Sequence, residues 1–258
     1  MSSELVRPEP QQPGRRRWIA LGTAAVLVSM AVGGGVGYVL LQYKKQPAPV
    51  AKVFAAPPAS VHLPAYGAQS DGDHFGPLSD LLLPFPSGYT PGPDLPGVGS
   101  DVQLTPAQFV SDSADFDPWA TSSERRTMVQ GVESSHLEGF ALRSYAPTSG
   151  GSPDYYLQIS LAQENQHEAS NGLTVMHRMV QYLGIDRPGP AVPGSPGAQC
   201  FLPVAATGDQ LSSMECVAAV GDLFVDMQEF GAAPLDTGDA VTVFEQQLTR
   251  LAIPAAQI

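Results

Sequence analysis

The pattern of hydrophobic and polar positions divides the chain into three parts. Residues 18–41 include no charged side chain, and a helix of that length would be roughly 36 Å long, enough to cross a hydrocarbon core of about 30 Å. Residues 42–100 show no periodicity, whereas residues 101–258 alternate between helical and strand periods. The sequence therefore predicts an N-terminal tail over residues 1–17, a transmembrane helix, a linker over residues 42–100 and a folded domain over residues 101–258.

The basic residues that flank the apolar run predict its orientation. Arg15, Arg16 and Arg17 stand directly before Trp18, whereas only scattered lysines follow Leu41. Because positive charge is retained on the cytoplasmic side, we expect a cytoplasmic N-terminus and an extracytoplasmic C-terminal domain. A cleaved signal peptide is the alternative, but its apolar core is usually only about 7–15 residues long. A lipoprotein signal would require a cysteine near Leu41, and the sequence has none there.

The apolar run also carries a pair of glycines with the spacing of a helix-dimer motif. Gly33 and Gly37 form a G-x-x-x-G pair, which lets two membrane helices approach closely. We therefore expect the lipid bilayer to contact Trp18 to Leu41, and a homodimer through Gly33 and Gly37 is an additional hypothesis.

Proline dominates the predicted linker. The prolines fix φ and remove amide donors, so this stretch is expected to be extended and partly polyproline-like. Residues 78–85 interrupt it with an apolar island that includes Leu81, Leu82 and Phe85. Exposing these side chains together would be costly, so the island is expected to dock on the folded domain or on a partner.

The periodic part predicts an α+β domain. Thr121 and Glu124 form a capping box before a short helix, helical spacing recurs from His167, and a last helix begins at Asp236. Strands are predicted near residues 139–145, 155–161, 199–206, 212–220 and 223–230. Hairpin-joined strands with helices between them indicate an antiparallel sheet of about five strands with helices packed on one face.

The two cysteines predict a disulfide. If the turn lies near residues 207–210, Cys200 and Cys216 face each other across one hairpin. An oxidising compartment lets such a pair close, and the closed loop would stabilise the fold by roughly 3 kcal/mol. A redox-active pair is the alternative, but such pairs usually have C-x-x-C spacing.

Charge excludes one class of partner. From Asp101 onward there are 19 acidic and 6 basic residues, and this excess repels phosphate backbones. Nucleic acid is therefore not an expected partner. The sequence contains neither H-E-x-x-H nor a paired C-x-x-C, so no metal site or cofactor is predicted.

Two groups of residues are candidates for function. Arg143, Tyr155 and Tyr156 lie on neighbouring predicted strands and would form a ligand or partner surface together with the island residues Leu81, Leu82 and Phe85. The second candidate is the segment 133–138, where Ser135, His136 and carboxylates are the residue types of a hydrolase. Sequence neighbours rarely form a catalytic triad, however, because its members converge from separate segments.

The whole layout resembles that of small membrane-anchored exported proteins of actinobacteria. The resemblance lies in the arginine-flanked anchor, the Ala/Pro/Gly-rich spacer and the hairpin of residues 139–161 before a helix at His167. It implies a ligand-binding, sensor or envelope-assembly domain and transfers no site residues. The sequence thus favours a non-catalytic extracytoplasmic domain that binds an envelope protein or a small ligand, with a hydrolase based on residues 133–138 as the alternative.

Overall fold

The computed structural model describes residues 66–95, 99–116, 121–148, 155–183, 186–203 and 211–254. Its strands are β1 (Gly67–Ala68), β2 (His74–Phe75), β3 (Tyr89–Pro91), β4 (Asp101–Leu104), β5 (Gly139–Pro147), β6 (Tyr155–Gln163), β7 (Asp186–Pro188), β8 (Gln199–Pro203), β9 (Leu211–Val220) and β10 (Leu223–Ala232). Its helices are α1 (Leu78–Leu81), α2 (Pro106–Phe116), α3 (Ser122–Ser134), α4 (Gln166–Leu183) and α5 (Thr237–Leu251).

An antiparallel sheet forms the centre of the domain. Seven of its eight strands follow the order β3-β5-β6-β10-β9-β8-β7, and the eighth, β4, pairs with β5. Strands β1 and β2 form a separate two-stranded ribbon. The predicted α+β class and antiparallel sheet are confirmed, and the five predicted strands correspond to β5, β6, β8, β9 and β10. The remaining sheet strands are short, with three or four residues each, and their periodicity is too brief to detect.

Helices cover both faces of the sheet, which corrects the expectation of one covered face. On the first face, Leu157, Ile159 and Met227 pack beneath the apolar side of α5, which buries Phe244 and Leu248. On the second face, α2 and α3 cover one end through Phe109 and Val132. Helix α4 covers the other end through Met176. This explains why β5 and β6 are buried at nearly every position rather than at alternate ones.

Of the predicted linker of residues 42–100, residues 66–95 pack into the fold, whereas residues 42–65 lie outside the described residues. Leu78, Leu81 and Leu82 are buried in the main core. The Gln247 side chain accepts a hydrogen bond from the Leu83 amide at 2.6 Å and donates one to the Leu81 carbonyl at 3.1 Å. Residues 66–95 are therefore part of the folded domain, and apolar burial outweighs the local effect of the prolines.

A buried hydrogen-bonded pair of side chains joins the two ends of the described chain. His74 Nδ1 lies 2.6 Å from Asp222 Oδ1, and His74 Nε2 lies 3.1 Å from the Leu251 carbonyl oxygen. Gln163 donates to the other oxygen of Asp222 at 2.8 Å. Gly221 has φ +57, and a Cβ there would overlap the carbonyl group of Gly72. Only glycine fits this close approach.

The predicted disulfide is confirmed. Cys200 on β8 and Cys216 on β9 are direct partners in the antiparallel register, and their sulfurs are bonded. Both cysteines are buried in the main core. This placement indicates a structural crosslink between neighbouring strands.

Within the described residues, no helix is both long and apolar enough to cross a bilayer. The predicted span from Trp18 to Leu41, including Gly33 and Gly37, lies outside those residues. The anchor and its dimer motif stay predictions.

Candidate functional site

A row of polar side chains crosses the second face of the sheet. The strand register places Ser144 opposite Gln158, Gln158 opposite Gln228, and Gln228 opposite Glu215. Two residues further along the same strands, Ser160 lies opposite Asp226. We call these residues the polar row: Ser144, Gln158, Ser160, Glu215, Asp226 and Gln228. The row spans four adjacent strands, β5, β6, β10 and β9.

Strand alternation accounts for the position of the row. In β6, Leu157, Ile159 and Leu161 point to the first face, so Gln158 and Ser160 point to the second. The sequence alone suggests that such polar positions face solvent. Instead, Gln158 is 2% exposed, and helices cover both ends of this face.

The row contains buried polar atoms without hydrogen-bond partners. With the neighbouring Tyr156, they number seven: Ser144 Oγ, Tyr156 OH, Gln158 Nε2 and Oε1, Glu215 Oε1, Asp226 Oδ1 and Gln228 Oε1. Each unsatisfied buried polar group costs about 1–3 kcal/mol. Seven such costs together rival the whole stability of a domain, about 5–15 kcal/mol. The row therefore holds most of the unsatisfied buried polar atoms of the described residues.

The two carboxyl groups of the row are protonated more easily than usual. Burial raises the pKa of Glu215 to about 7, with a further contribution from the negative charge of Asp186. Burial and the nearby Glu215 raise the pKa of Asp226 well above its ordinary value, although the Gln228 amide lowers it by donating to Asp226 Oδ2 at 3.2 Å. Two like charges in one buried place disfavour double ionisation. Near neutral pH the pair therefore carries less than its full negative charge.

Aromatic rings lie beside one edge of the row. Tyr156 and Phe230 are cross-strand partners, with ring centroids 5.4 Å apart and ring planes 24° apart. They occupy the register position next to Gln158 and Gln228. At the far side, His177 of α4 lies 2.6 Å from Gln199 Oε1. The stacked rings of Tyr156 and Phe230 thus border the row on one side. The Gln199 amide, which is hydrogen-bonded to His177, borders it on the other.

The predicted ligand surface is divided by the fold. Arg143 and Tyr155 point to the first face, whereas Tyr156 points to the second, because adjacent strand residues alternate. Arg143 donates to both oxygens of Asp101 and to the carbonyls of Ser79 and Leu83. Its guanidinium is thereby held within the fold. Among the three predicted strand residues, only Tyr156 lies beside the polar row.

The island residues are also placed by the structure. Leu81 and Leu82 are 1% and 0% exposed, so neither can present a surface to a partner. Phe85 is 38% exposed and packs edge-on against Tyr145, with the Arg143 guanidinium 5.6 Å from its ring centroid. These contacts match the expectation that the island docks on the domain.

The segment 133–138 ends α3 and leads into β5. The Ser134 hydroxyl donates to the Gly131 carbonyl and the Ser135 hydroxyl to the Val132 carbonyl. His136 is exposed and has φ 54. Within the described structure, no hydrogen bond joins His136 to either serine, and nucleophilic catalysis requires such a contact.

A second group of acidic and phenolic side chains lies on the first face. The Tyr89 and Tyr155 hydroxyl oxygens are 2.9 Å apart, and the Tyr155 hydroxyl donates to Asp239 at 3.4 Å. Glu229 is fully buried and neither carboxyl oxygen has a partner. Burial, Asp236 and Asp239 raise its pKa to about 7. The unpartnered atoms of this group are fewer than those of the polar row, and both belong to the carboxyl group of Glu229.

Two surface hollows lie away from the polar row. One, of about 170 Å³, is lined by residues that include Leu78, Gln103 and Glu138. The other, of about 450 Å³, lies against α5 near Leu83, Glu245 and Arg250. Neither contains an unpartnered buried polar atom. Across the described ranges, no group of three or more His, Cys, Asp or Glu side chains is placed to hold a metal ion.

Sequence reasoning missed the polar row itself. Its signal was present as polar residues at regular positions in strands that are otherwise apolar, such as Asp226 and Gln228 within Leu223–Ala232. The same alternation is typical of a solvent-facing side. A buried row can be told from a solvent-facing side only when it is known that helices cover that face.

Comparisons with known proteins give weak likenesses. No protein-family model matches the chain, and no curated protein matches it. The chain is similar in structure to the extracellular domain of PknH from Mycobacterium tuberculosis, with a TM-score of 0.39 and 11% identity over 67% of this chain and 94% of that one. A crystal structure from Bacteroides thetaiotaomicron VPI-5482 gives a TM-score of 0.29 and 11% identity over 41% of this chain and 43% of that one. Likeness at these TM-scores does not establish a shared fold.

Proposed function

We propose that the chain is a non-catalytic, extracytoplasmic binding domain whose ligand occupies the polar row. The observation that carries the proposal is the set of seven buried polar atoms without partners across four adjacent strands. Buried polar groups in folded proteins are almost always satisfied. A bound molecule with matching groups would remove this cost once the helices that cover this face move apart, and the free energy gained would contribute to affinity.

The location outside the cytoplasm is supported by two independent features. Arg15, Arg16 and Arg17 flank the uncharged residues 18–41 on the side expected for the cytoplasm. The Cys200–Cys216 disulfide is typical of proteins that fold in an oxidising compartment. A binding role without catalysis is favoured because the polar row contains no nucleophile next to a histidine base.

Native mass spectrometry of the full chain, released from its membranes in mild detergent, tests the binding role. We expect a small molecule to remain bound to the unmodified chain and to be lost when Gln158→Leu and Gln228→Leu are combined. Leucine keeps the side-chain volume but removes the hydrogen-bonding groups. Gln246→Leu, an exposed change on α5, is the matched control and should retain the molecule.

A bare chain mass, both as purified and after incubation with a small-molecule extract of the cells, would overturn the proposal. Ordered water would then be the molecule that completes the row.

A further inference from the structure

The buried ring of His74 lies between two hydrogen-bond acceptors. Its Nδ1 is 2.6 Å from Asp222 Oδ1, and its Nε2 is 3.1 Å from the Leu251 carbonyl oxygen. A carbonyl oxygen can only accept a hydrogen bond, so Nε2 must carry a proton and donate it to Leu251. The charge of the ring then depends on whether Nδ1 also carries a proton.

Asp222 is ionised and leaves Nδ1 no role except that of a donor. Its Oδ1 accepts from the His74 amide at 3.0 Å, and its Oδ2 accepts from Gln163 at 2.8 Å. Burial raises the pKa of Asp222, but the hydrogen bonds from His74 and Gln163 outweigh burial and lower it. An ionised carboxylate has no proton to give. Both ring nitrogens therefore donate, and a histidine that donates from both is the imidazolium cation.

The groups around the ring favour this positive charge. Leu251 is the last residue of α5, where the helix dipole and the carbonyls without an intrahelical donor attract a cation. Asp71 and Asp73 add negative charge in the turn between β1 and β2, and Glu164 follows β6 with its amide bonded to the Asp222 carbonyl. Arg250 of α5 donates to carbonyls of α1 and to a tyrosine hydroxyl instead.

The ring connects three parts of the fold that are distant in sequence. His74 belongs to β2, Asp222 lies in the turn between β9 and β10, and Leu251 ends α5. Beside these contacts, Ala68 of β1 forms an isolated bridge with Pro254, just after α5. The β1–β2 ribbon is thus held on the C-terminal end of α5, and His74 supplies a side-chain hydrogen bond between them.

Loss of one proton from the ring would break the contact with α5. A neutral ring keeps a single N–H, and the ionised Asp222 is the stronger acceptor for it. Nε2 would then present a lone pair to the carbonyl oxygen of Leu251, so two acceptors would face each other. A buried carbonyl without a donor is costly, and separation of the ribbon from the helix end would let water reach it.

We propose that His74 is a pH switch: as an imidazolium it holds the β1–β2 ribbon on the C-terminal end of α5, and loss of one proton releases the ribbon from that helix. The switch does not depend on the binding role of the polar row. Since the predicted linker enters the domain through this ribbon, the pH outside the cell would set how firmly the domain is closed at its N-terminal end.

Two titrations of the full chain in mild detergent test the switch, with the pH raised from about 5 until the ring loses its proton. Nitrogen-15 NMR of histidine-labelled chain reports the protonation of each ring nitrogen. The chain has five histidines, and replacing the others with glutamine one at a time leaves the signals of His74 in place. Hydrogen exchange gives the protection factors of the amides of residues 67–75.

We expect both ring nitrogens of His74 to be protonated at the acidic end of the titration. Ribbon protection should fall roughly tenfold or more, the effect of one hydrogen bond to a charged group, over the same pH interval in which the ring loses its proton. A ring that is neutral throughout would overturn the switch. Ribbon protection that stays constant while the ring loses its proton would also overturn it.

A pair of variants separates His74 from the other histidines. His74→Gln cannot change its charge, so its ribbon protection should be low and independent of pH. His167→Gln, an exposed change on α4, should keep the pH dependence of the unmodified chain. A pH dependence that survives in His74→Gln would assign the effect to another group and contradict the switch. The coincidence of the two titrations is measured on the unmodified chain, so it stands even where His74→Gln does not fold.

Discussion

At the scale of single residues, the domain carries several carboxyl groups that burial makes easier to protonate. Burial raises the pKa of Glu164, Glu215 and Glu229 to about 7 in each case. Unfolded glutamates titrate near 4.3. Between these values the folded chain binds more protons than the unfolded chain, so its stability falls as pH rises through this window.

Stability without ligand should therefore be higher at pH 5 than at pH 8. The chain with Glu215→Gln and Asp226→Asn should lose part of this dependence and be more stable at pH 8 by roughly 1–3 kcal/mol, because two groups that resist ionisation have been removed. Urea unfolding at both pH values measures the effect. Glu133→Gln, at an exposed position on α3, is the control, and an equal change there would contradict the assignment to the row.

The His74–Asp222 pair predicts the opposite dependence. Burial alone would raise the pKa of Asp222, but hydrogen bonds from His74 and Gln163 outweigh it, and the pKa is lowered. The stability from this carboxylate is present above about pH 4 and is lost as pH falls through its folded pKa.

Replacing Asp222 with Asn should cost about 1–3 kcal/mol at pH 7, because the buried donors of His74 and Gln163 lose their carboxylate acceptor. The cost should shrink as pH falls below about 4, because the unfolded carboxylate is protonated there and the folded one follows as pH falls through its lowered pKa. Thermal unfolding between pH 3 and pH 7 gives both values. Asp94→Asn, at an exposed position, should leave the unfolding midpoint unchanged, and a small effect of Asp222→Asn would argue against a strong pair.

At the scale of elements, the segment before residue 101 contributes directly to the core. We expect a chain shortened to begin at residue 101 to fail to fold cooperatively. It loses four buried leucines, Leu78, Leu81, Leu82 and Leu95, each worth about 1.5–3 kcal/mol, against a total stability of about 5–15 kcal/mol. A chain that begins at residue 66 should show a sharp thermal transition by circular dichroism. Equal folding of the two chains would show that the segment is dispensable.

Local signals predicted some elements and missed others for physical reasons. The helices α3, α4 and α5 were predicted because caps and apolar spacing are local properties. Helix α2 was missed although Thr105 and Gln108 form a reciprocal capping box, with the Gln108 side chain accepting from the Thr105 amide at 2.9 Å. Its signal was hidden by neighbouring Pro/Gly-rich sequence, which favoured a linker.

A sequence can predict the pairing of the two cysteines but not the burial of the polar row. Cys200 and Cys216 belong to one hairpin, so their register follows from a local turn. The row assembles β5, β6, β10 and β9, and its burial depends on helices from three other parts of the chain. Such non-local packing determines that Gln158 is a buried group rather than a solvated one.

At the scale of the whole molecule, the membrane anchor is the prediction on which the biological setting depends. We expect the full chain to fractionate with membranes and its C-terminal domain to be digested when protease is added to intact spheroplasts. A cytoplasmic protein of the same cells, which should survive, is the control. A domain that resists protease until the membrane is lysed would contradict the orientation. Recovery of a form without its first forty-odd residues from the growth medium would contradict the anchor.

The contacts of the N-terminal segment also bear on the order of folding. His74 and Gln163 meet Asp222, while the carbonyls of Asp80 and Leu81 meet Arg250, about 170 positions later in the chain. A ribosome completes the early partners long before the late ones exist, and contacts of such separation close slowly. Leu78, Leu81 and Leu82 therefore complete their burial only when the last helix of the chain has packed beside them.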